Sequence, residues 1–112
     1  MAIQMNDEGA ELIARRFRAL SEPTRLRILD ELRRAEEASV GEIAGAIGSS
    51  QQNVSKHLSA LAGEGFVSRR KQGTSSIYSI SDPSVLDLCE SVCAGLEQEL
   101  ERVGAVLEEA RP

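Results

Sequence analysis

Aromatic residues are scarce in this chain: Phe17, Phe66 and Tyr78 are the only ones, and tryptophan is absent. That scarcity argues against a stacking platform for single-stranded nucleic acid, which needs successive exposed rings. Histidine occurs once, at His57, and no glycine-rich phosphate loop or nucleophile–base spacing is present. The serines lie where caps and turns need them, so an enzyme is not expected. Two cysteines, Cys89 and Cys93, are too few for the disulfide framework of a secreted fold. No apolar run reaches the ~18–20 residues that cross a bilayer. Met1-Ala2-Ile3-Gln4-Met5 has neither the charged head nor the long apolar stretch of an export signal. The expectation from these absences is a cytoplasmic protein with no membrane partner.

What remains is an ordinary globular composition, 41% hydrophobic and 28% charged over 112 residues, which suits one domain spanning 1–112. Its net charge of −5 is unevenly spread. Residues 49–80 carry Lys56, Arg69, Arg70 and Lys71 against Glu64 alone, a local +3, whereas residues 81–112 carry eight acids against Arg102 and Arg111, a local −6. An acidic body with one basic face still presents that face's field to a partner.

Apolar spacing predicts five helices with a hairpin between the fourth and fifth. The first, about 7–20, carries Ala10, Ile13, Phe17 and Leu20 at helical intervals. Ser21-Glu22-Pro23 ends it and starts the second, which is expected to bury Leu26, Ile28, Leu29 and Leu32 and to fade in Ala35-Glu36-Glu37-Ala38. Ser39-Val40-Gly41-Glu42 has the form of a capping box opening a short third helix with Ile43, Ala44 and Ile47, stopped by Gly48. Ser49 or Ser50 caps the fourth, whose inner face is Val54, Leu58 and Leu61, and Gly65 supplies a left-handed stop. Residues 66–71 and 75–80 read as strands about a turn at Gln72-Gly73-Thr74. Asp82-Pro83 then opens a last helix reaching close to Glu109.

The three-residue link Gly48-Ser49-Ser50 forces the third and fourth helices into a sharp turn, leaving polar side chains outward on the fourth. Amides read adenine edges bidentately and lysine reaches guanine or phosphate, so Gln51, Gln52, Asn53 and Lys56 are assigned to bases in a major groove. Ser50, Ser55 and His57 are assigned mainly to phosphates. Arg69, Arg70 and Lys71, with Thr74 at the hairpin tip, form a cationic wing for phosphate or minor groove. Strand alternation puts Arg69 and Lys71 on one face and Arg70 on the other. Plainer readings stand beside these: Gln52 completing a capping box with Ser49, Ser50 as a cap only, His57 as structural, and the wing cations as a solvated face.

Residues 12–81 resemble the arsenical-resistance repressor (ArsR-type) family of bacterial winged-helix regulators. The resemblance is carried by Phe17-Arg18-Ala19-Leu20-Ser21-Glu22-Pro23-Thr24-Arg25-Leu26-Arg27-Ile28-Leu29, by Val54-Ser55-Lys56-His57-Leu58 with Leu61, and by Gly65-Phe66-Val67, Gly73 and Tyr78. It implies a mainly α winged helix-turn-helix of order ααααββα. It also implies a homodimer on a double-stranded operator, usually repressing, with release by an effector.

Val85, Leu88, Cys89, Val92, Leu96, Leu100, Val103 and Leu107 form one apolar stripe on the last helix. A second copy would cover it, so residues 1–20 and 82–110 are expected to dimerise, with Ile13, Phe17, Val85, Leu88, Cys89, Val92, Leu96, Leu100 and Val103 at the interface. The resemblance also implies where an effector would be sought. A Cys-x-Cys pair opening the third helix is replaced by Ser39 and Gly41. A site built on Asp and His in the last helix retains Asp82 but lacks histidine. Cys89 and Cys93, four apart, are candidate ligands for a regulatory transition metal or metalloid, or a redox pair, or core residues; no cofactor is required. A reading from another class is a winged-helix module that binds a partner protein and not DNA.

Overall fold

The structure, a computed structural model, describes residues 2–110. Met1, Arg111 and Pro112, at the ends of the domain expected over 1–112, lie outside the described residues. Helix α1 (Asp7–Leu20) begins where the Asn6 side chain accepts a hydrogen bond from the Gly9 N–H at 2.9 Å. Helix α2 (Pro23–Ala35) starts on proline, which needs no amide partner in a first turn. Helices α3 (Val40–Ile47) and α4 (Gln51–Gly63) follow, then strands β2 (Val67–Gln72) and β3 (Ser75–Ile80) and helix α5 (Ser84–Glu109).

One element departs from expectation. The residues where α2 was expected to fade form a third strand, β1 (Glu37–Ser39), so the order is ααβααββα with a three-stranded antiparallel sheet ordered β1-β3-β2. The break comes at Glu36, which adopts φ 70° while its N–H still bonds the Leu32 carbonyl at 2.9 Å. A non-glycine residue at positive φ is uncommon, and here it swings the chain out of the helix and onto β3. Ala38 then pairs with Tyr78, and Arg69 pairs with Tyr78 from the other side.

The capping box forms as expected: the Glu42 N–H donates to Ser39 Oγ at 3.1 Å and the Ser39 N–H donates to Glu42 Oε1 at 2.9 Å. These bonds hold the Glu42 carboxyl below its usual range. Gly48 at φ 70° stops α3 and Gly65 at φ 78° stops α4, where the Phe66 N–H reaches back to the Leu61 carbonyl at 3.0 Å.

The core lies between α2, α3 and α4 and under the sheet. Ile28, Leu29, Leu32, Ile43, Val54, Leu58 and Leu61 are each at most 1% exposed, and burial of such side chains is worth about 1.5–3 kcal/mol apiece. Leu26, expected inside, is instead 43% exposed on the outer side of α2. The chain divides into two compact units, one ending at Asp82 and one beginning at Pro83. Taken by itself, α5 is a 26-residue helix, about 39 Å long at ~1.5 Å per residue.

Candidate nucleic-acid interface

The turn between α3 and α4 is built from backbone upward. Left-handed Gly48 lets the Ser49 N–H bond the Ala44 carbonyl at 3.1 Å, and Ser50 then caps α4 by accepting from the Asn53 N–H at 3.1 Å. The cap is therefore Ser50, which leaves Gln52 outside any capping box and exposed. Asn53 is half-buried, its amide donating to Ser49 Oγ at 3.0 Å. Gln51 is exposed but lies over the first turn of α3, where its Nε2 would sit 3.4 Å from a methyl placed on Gly41. Gln51, Gln52, Ser55 and Lys56 all face outward along the first turns of α4.

His57 does not belong with them. It is 6% exposed, and its Nδ1 accepts a hydrogen bond from Arg25 Nε at 3.1 Å, while Arg25 Nη1 donates to the Ala19 carbonyl at 3.2 Å. Burial pushes the imidazole below its ordinary value, and the charges of Arg25 and Lys56 add to that push against the opposing Glu22. A neutral ring accepting at Nδ1 carries its proton on Nε2. The expected phosphate contact is thus corrected to a structural tie: α4 is fastened to α2 and to the end of α1 through Arg25. Sequence reasoning missed Arg25, because its partners lie 6 and 32 residues away.

On the hairpin, Val67, Arg69 and Lys71 alternate onto the sheet face that carries buried Tyr78, and Arg70 and Gln72 take the opposite face. Arg70 is occupied there. Its Nη2 donates to Glu37 Oε1 at 2.8 Å, across β3, and its Nη1 donates to Gln72 Oε1 at 2.8 Å. Thr74 is exposed at the tip beside Gly73, which takes φ 64°.

Charge pairing separates the cations into two groups. Arg15, Arg16, Arg18, Arg33, Arg34, Arg70 and Arg102 each have a carboxylate partner. Among the described residues Arg25, Arg27, Lys56, Arg69 and Lys71 have none; Arg25 is engaged by His57 and the Ala19 carbonyl, and the other four are exposed. A chain with excess acid has left Lys56 of α4 and Arg69 and Lys71 of the wing uncommitted. That surface offers amides, hydroxyls and free positive charge together, the donor set that grooves and phosphates of a duplex take.

Along α5, Val92, Leu96, Leu100, Val103 and Leu107 are 44–69% exposed, and Leu12 and Phe17 of α1 are 50% and 53% exposed. Ile13, Leu88 and Cys89 are half-buried. Val85, expected at the interface, is only 2% exposed in the single chain and leaves that set. Cys93 is exposed in the single chain, and its thiol donates to Glu97 Oε1 at 3.5 Å. Glu97 raises the Cys93 pKa through that bond and its charge; burial raises that of Cys89. Metal ligation takes thiolates, and a closed zinc site takes four donors. The described residues of one chain assemble no group of three or more His, Cys, Asp or Glu able to hold an ion. One chain's donors therefore do not complete a four-coordinate zinc site. No helix among the described residues is long and apolar enough to cross a membrane.

Residues 20–70 match a helix-turn-helix domain family. The chain is 48% identical over 75 residues to a probable mercury resistance operon repressor of Streptomyces lividans, covering 67% of this chain and 59% of that protein. It thus spans under two thirds of that relative's length. It is 36% identical over 102 residues to the HTH-type transcriptional regulator Rv0081 of Mycobacterium tuberculosis, covering 90% of this chain and 89% of that protein. The crystal structure of Rv0081 superposes with a TM-score of 0.77, covering 88% of this chain and 99% of that one, at 33% identity. A solution structure from Mycobacterium bovis, described as a homodimeric winged helix-turn-helix DNA-binding domain of a possible ArsR-family regulator, superposes with a TM-score of 0.75 at 35% identity, covering 91% of this chain and 95% of that one. Fold, turn and wing agree with these relatives over nearly the whole chain, which belongs to the ArsR/SmtB family of winged helix-turn-helix DNA-binding transcriptional regulators.

Proposed function

We propose that this chain is a homodimeric repressor that binds an inverted-repeat operator and is modulated by an effector. The observation that carries the DNA reading is the uncommitted charge of Lys56, Arg69 and Lys71 beside the exposed amides of Gln51 and Gln52. In this reading Gln51, Gln52, Asn53 and Lys56 meet base edges, and Ser50, Ser55 and Thr74 meet phosphates. Arg69 and Lys71 clamp the backbone, and Arg70 sets the pitch of the wing through Glu37. The exposed stripe of α5, with Phe17 and Ile13 of α1, packs on its mate. That would place two α4 helices in successive major grooves, about 10 base pairs apart.

Operator binding across a salt series tests it. Each phosphate neutralised contributes a slope of about −0.9 in log affinity against log salt, so Lys56→Ala and Arg69→Ala should each flatten the slope by roughly that amount. No preference for a promoter fragment over random duplex would refute the DNA reading. The same exposed stripe also suits a module that binds a partner protein; that reading predicts no salt slope on DNA at all. The S. lividans relative's name supports a soft-metal arm to the effector screen. Mercury(II), arsenite and oxidants should act through Cys89 and Cys93 if through any residues, and Cys89→Ser/Cys93→Ser should abolish a thiol-dependent response.

A further inference from the structure

A cleft of about 260 Å³ lies between α2 and α3, lined by Leu26, Arg27, Asp30, Glu31, Arg34, Ala46 and Ile47. Its lining charges balance in number, Arg27 and Arg34 against Asp30 and Glu31, but not in pairing. Asp30 is turned to Arg33 at 2.8 Å, and Glu31 to Arg34 at 3.3 Å, although both acids stand three and four residues beyond Arg27 and could have paired with it. Arg27 is therefore an exposed guanidinium with no carboxylate partner among the described residues. Beside it the walls are apolar: Leu26, 43% exposed where helical spacing called for burial, together with Ala46 and Ile47. A position that breaks the local pattern of burial is a place to look for function.

We infer that this cleft binds a small amphipathic carboxylate, its head on Arg27 and its short hydrocarbon tail on Leu26, Ala46 and Ile47. The guanidinium fork matches a carboxylate in two parallel hydrogen bonds, which a phosphate-free acid of a few carbons can satisfy. A volume below the usual range for drug-sized ligands sets the small size of the guest. The far wall is the last turn of α3, ending at Ile47, one residue before the Gly48 hinge into α4. Occupancy would bear on the angle between α3 and α4. Only this last step, which makes the ligand an effector, rests on the proposed repressor function.

Titration of the full chain, free of DNA, with hexanoate as probe and amide and arginine Nε resonances as readout tests the site. Saturable shifts are expected at Arg27, Ala46 and Ile47. Binding should weaken about fivefold in Arg27→Gln, the upper end for a solvent-exposed ion pair, and be largely kept in Arg27→Lys. Uncharged hexanamide should match the weakened binding, and hexylammonium should bind less still. Equal hexanoate affinity in wild type and Arg27→Gln, equal affinity for hexanamide, or shifts confined to other residues would each overturn the assignment. Because Arg27 is exposed, its variants should keep the native circular dichroism spectrum. Because the readout needs no operator, a failure of DNA binding elsewhere leaves the result interpretable. Operator release by hexanoate in wild type but not in Arg27→Gln would extend the site to regulation.

Discussion

The region from α2 to β3 and the helix α5 use the same apolar alphabet to opposite ends. In the first, leucines and isoleucines at helical spacing, Leu26 excepted, vanish from solvent: Leu29, Leu32, Leu58 and Leu61 are at most 1% exposed. In the second, Leu96, Leu100 and Leu107 recur just as regularly and remain 60–69% exposed. Periodicity therefore reports that a face needs covering, not what covers it. In the first region the cover is the chain's own sheet and helices; for α5 the proposed cover is a second copy.

Four measurements would sharpen or break that contrast. Leu58→Ala, in the covered region, should lower unfolding free energy by about 2–5 kcal/mol in urea titrations; a change near zero would mean the core packs differently. Leu96→Asp should leave the single chain folded, with its native circular dichroism spectrum, yet make the measured stability independent of protein concentration, shift sedimentation from dimer to monomer and cost operator affinity. A stable, DNA-binding mutant dimer would refute the proposed cover. Ser39→Ala, at the capping box, should cost about 1 kcal/mol, measured by thermal melting.

The smallest effect is expected from acid. His57 resists protonation in the fold relative to its ordinary value of 6.5, so the unfolded chain binds more protons just below that pH. The tie it makes with Arg25 is intact above pH 6.5. Stability should decline as pH falls beneath that value and level off once the folded imidazole is charged as well. His57→Gln should remove that inflection from stability measured against pH.

Much of this was legible in the sequence because the signals are local. The Ser39–Glu42 box, the stops at Gly48 and Gly65 and the inner faces of α3 and α4 stand where three- and four-residue spacing placed them. What escaped depends on distant partners. Strand β1 is three residues long and begins with an acid, so nothing within it marks a strand; it exists because Ser79, Tyr78 and Ile77 offer it an edge. His57 falls on the inner face of α4 with Val54, Leu58 and Leu61, but the partner that satisfies its ring, Arg25, is 32 residues away. Val85 belongs to the stripe by spacing alone, yet its burial separates it from Leu96. Arg70 is assigned from sequence to the wing or a solvated face, and the partner that engages it, Glu37, lies 33 residues away.

Strand β1 joins two tasks within three residues. Glu37 grips Arg70 of the wing, and Ser39 opens α3. Ala38 between them is 4% exposed and seals the junction. The spacing between α3 and the wing is thus gauged by one short rod anchored at both ends. A residue inserted at position 38 would throw both out of step at once.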